Sequence, residues 1–570
     1  MFCKTSPQLS LFDVKNVYPQ ALPPNDWCYI YREQIYPLID EDKFKHLYSE
    51  ECGRHNKPIK VMVSMLIFMG MERHTWRDAQ FQFERRLDWL LATRTPPGET
   101  SIDHTTLYKF YVRLESSDVA KKLFEKLTVA FAKACGTKFE KQRTDSFFIH
   151  GWLQILSRYG LFKETLRVFL QNLRKQKPGL YEEISKELSR DYLGKEFDLT
   201  EKDREEAQRQ VKILAQDLYQ VYKAFNNHNQ VQHYESFKTL SKVLHQQCTV
   251  VEKKETATSE VVIREKPVGE GIISSPHNTE ARYVKKGKQA VCGQKGFLTE
   301  TCDAENKTQF IADVAVTAAT TADAKEISAI QNRLEESGMK PREQYADAGF
   351  VNGQTIVSSQ DAGIILEGPS SGRSQSFEKF QAADRPLDTA DFTVRVDEKS
   401  KEIVVLACPE NQVPTDQARS EKTDKVLVHF DPTVCSACAK RERCPVKIGV
   451  SVATLTIDEA SYTGAARHHH YMADAGYRKR CATRAGVEAT VSEMVRAHGV
   501  RKSRHRTENR TRLQLFFAAI ACNVKRFIRH GVLYGYEVSV KTSSPCAFSF
   551  ETGFLGVFFV FKLRKTAFSH

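Results

Sequence analysis

Apolar positions follow three different rhythms along the chain. Val61, Val63, Met65, Leu66, Phe68 and Met69 read as a buried helix, and Leu87, Leu90 and Leu91 carry helical spacing onward. The polar cluster Ser101-Ile-Asp-His-Thr-Thr-Leu suits a helix N-terminus, after which Phe110, Val112, Leu114 and the stretch from Val119 to Phe131 keep the helical period until Gly136, a suitable C-cap. The rhythm then shortens, and Lys138 to Ile149 predicts a strand between Gly136 and Gly151. From Leu153 to about Val250 it is helical and charge-rich again, with Leu214, Leu218, Val221, Tyr222 and Phe225 on one stripe.

Residues 251–280 are polar and irregular and predict a linker. Strands are expected at Ala290–Cys302 and Gln309–Thr317. An amphipathic helix follows from Asp323 (Ile327, Ile330, Leu334) to Gly338, then a short strand at Gln344–Ala346. That succession predicts an α/β layer behind an all-α N-terminal region. Residues from 365 to about 460 turn polar, short-stranded and cysteine-bearing, and Ala482 to His530 is helical. After Gly531 no period is evident, and Ser543 to Phe550 reads as unstructured.

The expected organisation is therefore a tail over 1–27, a helical domain over 28–136, and an α/β domain over 137–530. The last is interrupted by a helical insertion (152–250), the linker (251–280) and a cysteine-bearing insertion (365–465), and 531–570 is unassigned. At 570 residues the chain is too long for one compact core, and 41% hydrophobic with 27% charged residues is ordinary globular composition. The opening MFCKTSPQLSLFD lacks the apolar segment of a secretory signal, and the longest apolar run near the C-terminus, Phe554–Phe561, is too short to span a bilayer. The expectation is a cytoplasmic protein with no membrane partner. The net charge of +13 favours an acidic partner such as nucleic acid.

Where charge and ligand atoms sit sharpens the picture. Asp145, in Arg143-Thr144-Asp145-Ser146, lies on the first expected strand, and Asp347 closes a short one before a glycine turn (Glu343 to Phe350). Glu488 ends Arg484-Ala-Gly-Val-Glu488 at the start of a helical pattern. Carboxylates converging from separate elements are what a pair of Mg²⁺ ions about 3.5–4 Å apart requires for phosphodiester chemistry. Spacing alone would equally nominate Glu343, Asp361 or Glu493 among the 71 acidic residues.

From Arg496 to Arg529 the bases Arg496, Arg501, Lys502, Arg504, Arg506, Arg510, Arg512, Lys525, Arg526 and Arg529 face one acid, Glu508. This block reads as a phosphate track following the candidate glutamate; the plain alternative is a solvated face. Cys435-x-x-Cys438, Cys444 and Cys408-Pro409 have the soft thiols and knuckle spacing of a structural Zn²⁺ site, against the alternative of four reduced cysteines. His468, His469 and His470, adjacent on a helix, point in different directions and read as solvated or phosphate-facing.

Thr144-Asp145-Ser146, Tyr345-Ala-Asp347-Ala-Gly349-Phe350 and Arg484-Ala-Gly-Val-Glu488 resemble the three signature segments of bacterial insertion-sequence DDE transposases. The stretch from Glu488 through Arg501–Arg506 to Ala518–Arg526 resembles the family's C-terminal block. Ser275-Pro276, Ala281-Arg282-Tyr283 and Lys286-Gly287 resemble the segment before its second strand, and the helical N-terminus, including Ser101 to Leu107, its DNA-binding region. The resemblance runs from about residue 30 to 530.

It implies an RNase H-like catalytic core and assigns Asp145, Asp347 and Glu488 as catalytic ligands of two Mg²⁺ (or Mn²⁺) ions. Arg484, one helical turn before Glu488, is expected on a DNA phosphate rather than in an ion pair with that glutamate. Arg496, Arg501, Lys502, Arg504, Arg506, Lys525 and Arg526 are expected as further DNA contacts. The implied activity is cleavage at the element's ends and strand transfer into target DNA, by a nucleoid-associated protein that dimerises in the synaptic complex. The alternatives are a nuclease without strand transfer and an inactive DNA-binding descendant. Two departures stand out: Cys481 occupies the signature tyrosine position, with Tyr477 one turn earlier, and Phe147 replaces a threonine often found after Asp-Ser.

Overall fold

The computed structural model describes residues 1–6, 8, 10–23, 26–49, 51–151, 157–194, 204–253, 258–286, 289–373, 376–397, 402–421, 423 and 425–536. The segments Ser543–Phe550 and Phe554–Phe561 lie outside them.

The N-terminal region is helical as its period predicts. Helix α1 (Ile59–Glu72) is apolar nearly all round because it is buried on nearly every face. It is followed by α2 (Trp76–Arg85), α3 (His104–Leu114) and α4 (Val119–Cys135). Thr75 and Asp78 form a capping box on α2, and the Asp103 side chain accepts from the Thr105 N–H to start α3. Gly136, at φ 64°, ends α4 in the left-handed conformation that glycine tolerates.

The first residues are no loose tail. The Asp13 carboxylate meets the guanidinium of Arg32 at 2.8 Å with both side chains buried, and Arg32 also donates to the Leu91 carbonyl at 2.9 Å. Glu41 accepts from the N–H and hydroxyl of Thr5. A carboxylate pairing with a buried cation leaves no trace in an apolar period, so the sequence pattern missed this attachment.

The centre of the fold is a mixed sheet. Strand β1 (Lys141–His150) leads, after an insertion, to β4 (Arg282–Lys286), β5 (Gln289–Thr301), β6 (Ile311–Ala318), β7 (Glu343–Tyr345) and β8 (Ile365–Glu367). The insertion contains β2 (Cys248–Lys253) and β3 (Thr258–Ile263). Strands β1, β5 and β6 form an antiparallel run, β4 also pairs with β5, and β7 and β8 join the other side of β1 in parallel. The parallel strands are linked as parallel pairing requires, by crossovers through α9 (Asp323–Glu336) and α10 (Gly353–Asp361). These two helices bury Ile327, Ile330, Leu334 and Ile356 against Phe297, Ala315, Ala346 and Leu366 on one sheet face. Phe147 lies over Gly296 on β5, where an added Cβ would come within 2.7 Å of its ring.

Between β1 and β4 the helices α5 (Arg158–Gln176), α6 (Pro178–Glu187), α7 (Arg204–Phe225) and α8 (Glu235–Gln247) close around their own core of Leu166, Phe169, Leu218, Val221 and Leu240. The expected linker over 251–280 is partly ordered instead. β2 pairs antiparallel with β3, where Thr249 and Val250 stand opposite Val262 and Val261 in a β-branched ladder. The second insertion supplies β9 (Thr393–Val396), β10 (Ile403–Ala407), β11 (Asp416–Arg419), β12 (Val426–Phe430), β13 (Lys447–Ile448) and β14 (Ala453–Ile457) in two small sheets.

Four helices finish the chain: α11 (Glu459–Ala473), α12 (Ala475–Cys481), α13 (Gly486–Ala497) and α14 (Glu508–Tyr534). Helix α14 runs past residue 531 and is buried from Leu513 to Ile528, between α1 and α4 on one side and the second sheet face on the other. One hydrophobic core therefore spans the N-terminal helices, the sheet and α14, rather than stopping at Gly136. Among the described residues no helix is long and apolar enough to cross a membrane.

Asn523, buried in the middle of α14, ties these layers together. Its side-chain oxygen accepts from the Ile311 N–H at 2.9 Å, and its amide donates to the Ile311 carbonyl at 2.9 Å and the Thr128 hydroxyl at 3.0 Å. Asn523→Leu keeps the branching of the side chain but strands those groups away from water. It is expected to cost roughly 2–4 kcal/mol, read as a lower urea midpoint with unchanged slope. An unchanged midpoint would mean that these hydrogen bonds are not holding the layers together.

Candidate active site

Asp145 stands near the middle of β1, flanked by β5 and β7, with its neighbours Phe147 and Ile149 on the face covered by α13 and α14. The parallel register pairs Arg143 with Tyr345, so extending it by two residues brings Asp145 level with Asp347, just beyond β7. Asp347 is held by its own turn, its carboxylate accepting from the Gly349 N–H at 2.8 Å. A Cβ there would approach Asp323 Oδ2 to 2.9 Å and Asp347 Oδ1 to 3.0 Å, so a larger residue would push on these carboxylates. Glu488, in the first turn of α13, is exposed, whereas both aspartates are half-buried.

Asp145 feels the charge of the other two carboxylates. The Asp145 carboxyl is pushed up to about 6, first by burial and then by the negative charges of Asp347 and Glu488; the Ser146 N–H and the Arg484 charge oppose the rise. A carboxyl made costly to ionise by burial and two neighbouring carboxylates is a place where a cation would be stabilised, so this donor set fits hard divalent ions. The arrangement is open. Among the described residues, the groups of three whose ligand atoms all lie within 4.8 Å are Glu493–His498–Cys522 and Asp388–Asp391–His469, not this trio. Glu488 instead leans toward Arg484 at 3.9 Å, the intrahelical pair that sequence reasoning set aside in favour of a phosphate contact. With Glu488 two-thirds exposed, that pair is weak and readily exchanged.

The basic block divides into two populations. Arg496, Arg501, Lys502 and Arg506 have exposed side chains. The segment at Arg501 and Lys502 runs beside the end of β1: the His150 N–H donates to the Arg501 carbonyl at 2.9 Å, and Lys502 forms a parallel bridge with His150. The other three are committed within the chain. Arg504 Nη1 donates to the His74 carbonyl at 2.8 Å, and Lys525 Nζ to that of Met71 at 2.7 Å. Arg526 is ion-paired with Glu300 at 3.1 Å and with Glu493 at 2.7 Å. These corrections share one cause: counting bases along the chain does not reveal which helix face each occupies.

Other expected polar groups are also internal. Tyr477 is buried, its hydroxyl donating to Glu367 at 2.5 Å and accepting from Arg467 at 2.8 Å, and Cys481 is buried beside it, so neither presents a base-handling ring or thiol at the surface. Of the histidines, His468 is buried, His469 lies 3.1 Å from Asp388, and His470 stacks on Tyr477 at 4.3 Å. Their directions differ as the helical geometry requires, with His468 enclosed, His469 partly covered and His470 exposed.

The four cysteines of the second insertion line one cavity of about 360 Å³ with Phe430, Val434 and Val446. Cys408 Sγ accepts from the N–H groups of Glu410 and Gln412, and Cys438 Sγ from that of Lys440, each at 3.4 Å. Lys440 ties the two turns together through the Pro409 carbonyl at 3.0 Å and Glu410 at 2.6 Å. Burial raises the Cys435 and Cys444 thiols, and each is raised further by neighbouring cysteines, so four thiols sharing one space suit a soft cation that binds them as thiolates.

Two family models match the chain. One, described as a transposase DDE domain, covers residues 407–528, and the other, described as a transposase domain (DUF772), covers residues 19–113. No curated protein and no solved structure matches it. Both matched families are transposase domains, and they support the resemblance to insertion-sequence DDE transposases. The matched stretches contain Glu488, Arg484, the cysteines and most of the basic block, whereas Asp145 and Asp347 lie outside both.

The end of α1 is gripped from the C-terminal part of the chain by Arg504, Lys525 and His498, whose Nδ1 donates to the Gly70 carbonyl at 2.8 Å. These groups cap the negative end of that helix. Replacing both Arg504 and Lys525 by Met removes two charge-assisted bonds worth about 1.5–3 kcal/mol each. Amide exchange over residues 69–74 is expected to accelerate by at least about tenfold; unchanged protection would show that these cations are not spent on the helix end.

Proposed function

We propose that this protein cleaves DNA at the ends of a mobile element and joins the freed ends to target DNA, with Asp145, Asp347 and Glu488 holding two divalent cations. The observation that supports the reading is the parallel register that brings Asp145, on the central strand, level with Asp347, with Asp145 feeling the charges of Asp347 and Glu488. The antiparallel run of β6, β5 and β1 followed by parallel β7 and β8 supports an RNase H-like core.

Divalent cations bound there would supply charge neutralisation at the scissile phosphate and an activated water or hydroxyl. The chain's own contribution is positioning. Asp145 is fixed on a central strand, Asp347 is held by the Gly349 turn, and Glu488 can leave its weak pairing with Arg484. Arg484, freed by the same movement, with Arg501 and Lys502, would hold phosphates. In the first reaction water displaces the 3′-oxygen of a phosphodiester, leaving a 3′-hydroxyl and a 5′-phosphate. In the second that hydroxyl attacks a target phosphodiester, forming one P–O bond as another breaks, so no external energy source is required.

The test is a plasmid carrying the DNA that flanks the gene, incubated with Mg²⁺ or Mn²⁺ and either native protein or Asp347→Ala. Native protein is expected to nick at fixed flanking positions and to give joined products, and the variant to do neither while binding DNA normally. Cleavage retained in the variant removes Asp347 from the site. Nicking without joined products indicates a nuclease, and binding without nicking an inactive descendant.

The exposed bases give a separate expectation. Arg501→Ala with Lys502→Ala should flatten the dependence of log binding constant on log salt by about 0.9 for each phosphate that is no longer neutralised, uniformly across sequences. An unchanged slope would place the DNA track elsewhere. For the cysteine insertion, we propose a structural Zn²⁺ held by Cys408, Cys435, Cys438 and Cys444. Metal analysis should find one equivalent lost on Cys435→Ser with Cys438→Ser; equal content in the two proteins overturns the assignment.

A further inference from the structure

We propose that Glu300 is a positioning residue for the catalytic carboxylates, holding the strand that carries Asp145 and the helix that carries Glu488 in register. This rests on the reading of the site given above.

Glu300 lies on β5 directly opposite Arg143 of β1, next to a shift in the β5–β6 register, and its side chain is fully buried. A buried carboxylate is tolerated only when paired and hydrogen-bonded, and this one has four donors from three elements. Oε1 accepts from Arg143 Nε at 2.8 Å and lies 2.7 Å from Nη2. Oε2 accepts from the Thr490 hydroxyl at 2.6 Å and from Arg526 Nη1 at 3.1 Å. Arg526 also donates to Thr490 at 2.7 Å and to Glu493 at 2.7 Å. Two carboxylates, Glu300 and Glu493, are thus balanced by two guanidiniums, Arg143 and Arg526, in a closed network.

The donors bracket the active site. Arg143 is two residues before Asp145 on β1, and Thr490 two residues after Glu488 on α13. Successive helical residues turn by about 100°, so fixing Thr490 on the inner face of α13 fixes the direction in which Glu488 projects. Arg143 adds a second tie through Nη1 to the Thr483 carbonyl at 3.2 Å, next to Arg484. Its path also explains a glycine of the third motif: a Cβ on Gly486 would fall 1.7 Å from Arg143 Nη1. Glu300 itself touches neither substrate nor metal ligand; it acts through the elements that carry them.

The test compares native protein with Glu300→Gln, Thr490→Val and Thr490→Ser in three assays: melting temperature, Mn²⁺ binding by calorimetry in the presence of flanking DNA, and cleavage rate at saturating DNA. Thr490→Val removes the hydroxyl, with its donation to Glu300 and its acceptance from Arg526, while keeping the side chain's shape and both carboxylates, so it keeps the proposal testable where Glu300→Gln fails to fold. Loss of a supporting partner typically weakens metal affinity or activity by roughly 10–100-fold. That loss is expected for Thr490→Val and Glu300→Gln, with DNA affinity unchanged, and Thr490→Ser should restore native Mn²⁺ binding and rate. Folded variants with native Mn²⁺ affinity and rate overturn the role of Glu300 while leaving the active-site reading intact. Native protein that neither binds Mn²⁺ at Asp347 nor cleaves overturns that reading and this inference with it.

Discussion

The fold depends on one constraint: α14 is covered on both sides. The N-terminal helices lie against one flank and the sheet against the other, so every polar group along its middle must find a partner inside the protein. Asn523 meets that demand by pairing with both backbone groups of Ile311 beside it. Arg526 meets it by joining Glu300 and Glu493. Lys525 reaches out of the layer to the end of α1. A helix rich in bases thus serves as the internal beam of a structure whose N-terminal part and sheet share one core.

Much of this was legible in the sequence, and where it was not the reason is physical. Helix α9 falls close to its expected place because one buried face imposes a period, and β6, buried on both faces over most of its length, because its largely apolar run is bounded by polar residues; β5 and the short β7 also fall close to theirs. The α1–α4 region followed from the same rule. The attachment of the first residues did not, since it depends on single pairings such as Asp13 with Arg32 rather than on a repeat. The β2–β3 hairpin was hidden because its short strands are interrupted by polar residues and sit in a polar stretch.

The site was legible in part. Spacing alone left Glu343, Asp361 and Glu493 as rivals to the proposed carboxylates. The geometry separates one of them clearly, since Glu493 is occupied by Arg526. Glu343 likewise has Arg342 at 2.8 Å and the Tyr345 hydroxyl. The basic block was read too uniformly, because a linear count cannot distinguish Arg501 and Lys502, beside β1, from Arg504, Lys525 and Arg526, each bonded to another part of the chain. Nothing in the sequence pointed to Glu300; a glutamate within an expected strand looks like a solvated position until its partner strand and the covering helices are known.

The contrast between the two sets of carboxylates is the consequence that matters for chemistry. Glu300 and Glu493 are closed, each already neutralised by a guanidinium, so they have little to offer a cation or a phosphate. Asp145, Asp347 and Glu488 are open: one is raised by burial and by its neighbours, one is held by a backbone N–H, and one leans on a weak helical pair. A set of negative charges left uncompensated is costly to the fold, and a protein that also builds compensated pairs one layer beneath has the means to hold that cost in place. In the proposed reading the compensated layer would set direction and spacing, and the uncompensated layer would retain the charge for divalent cations.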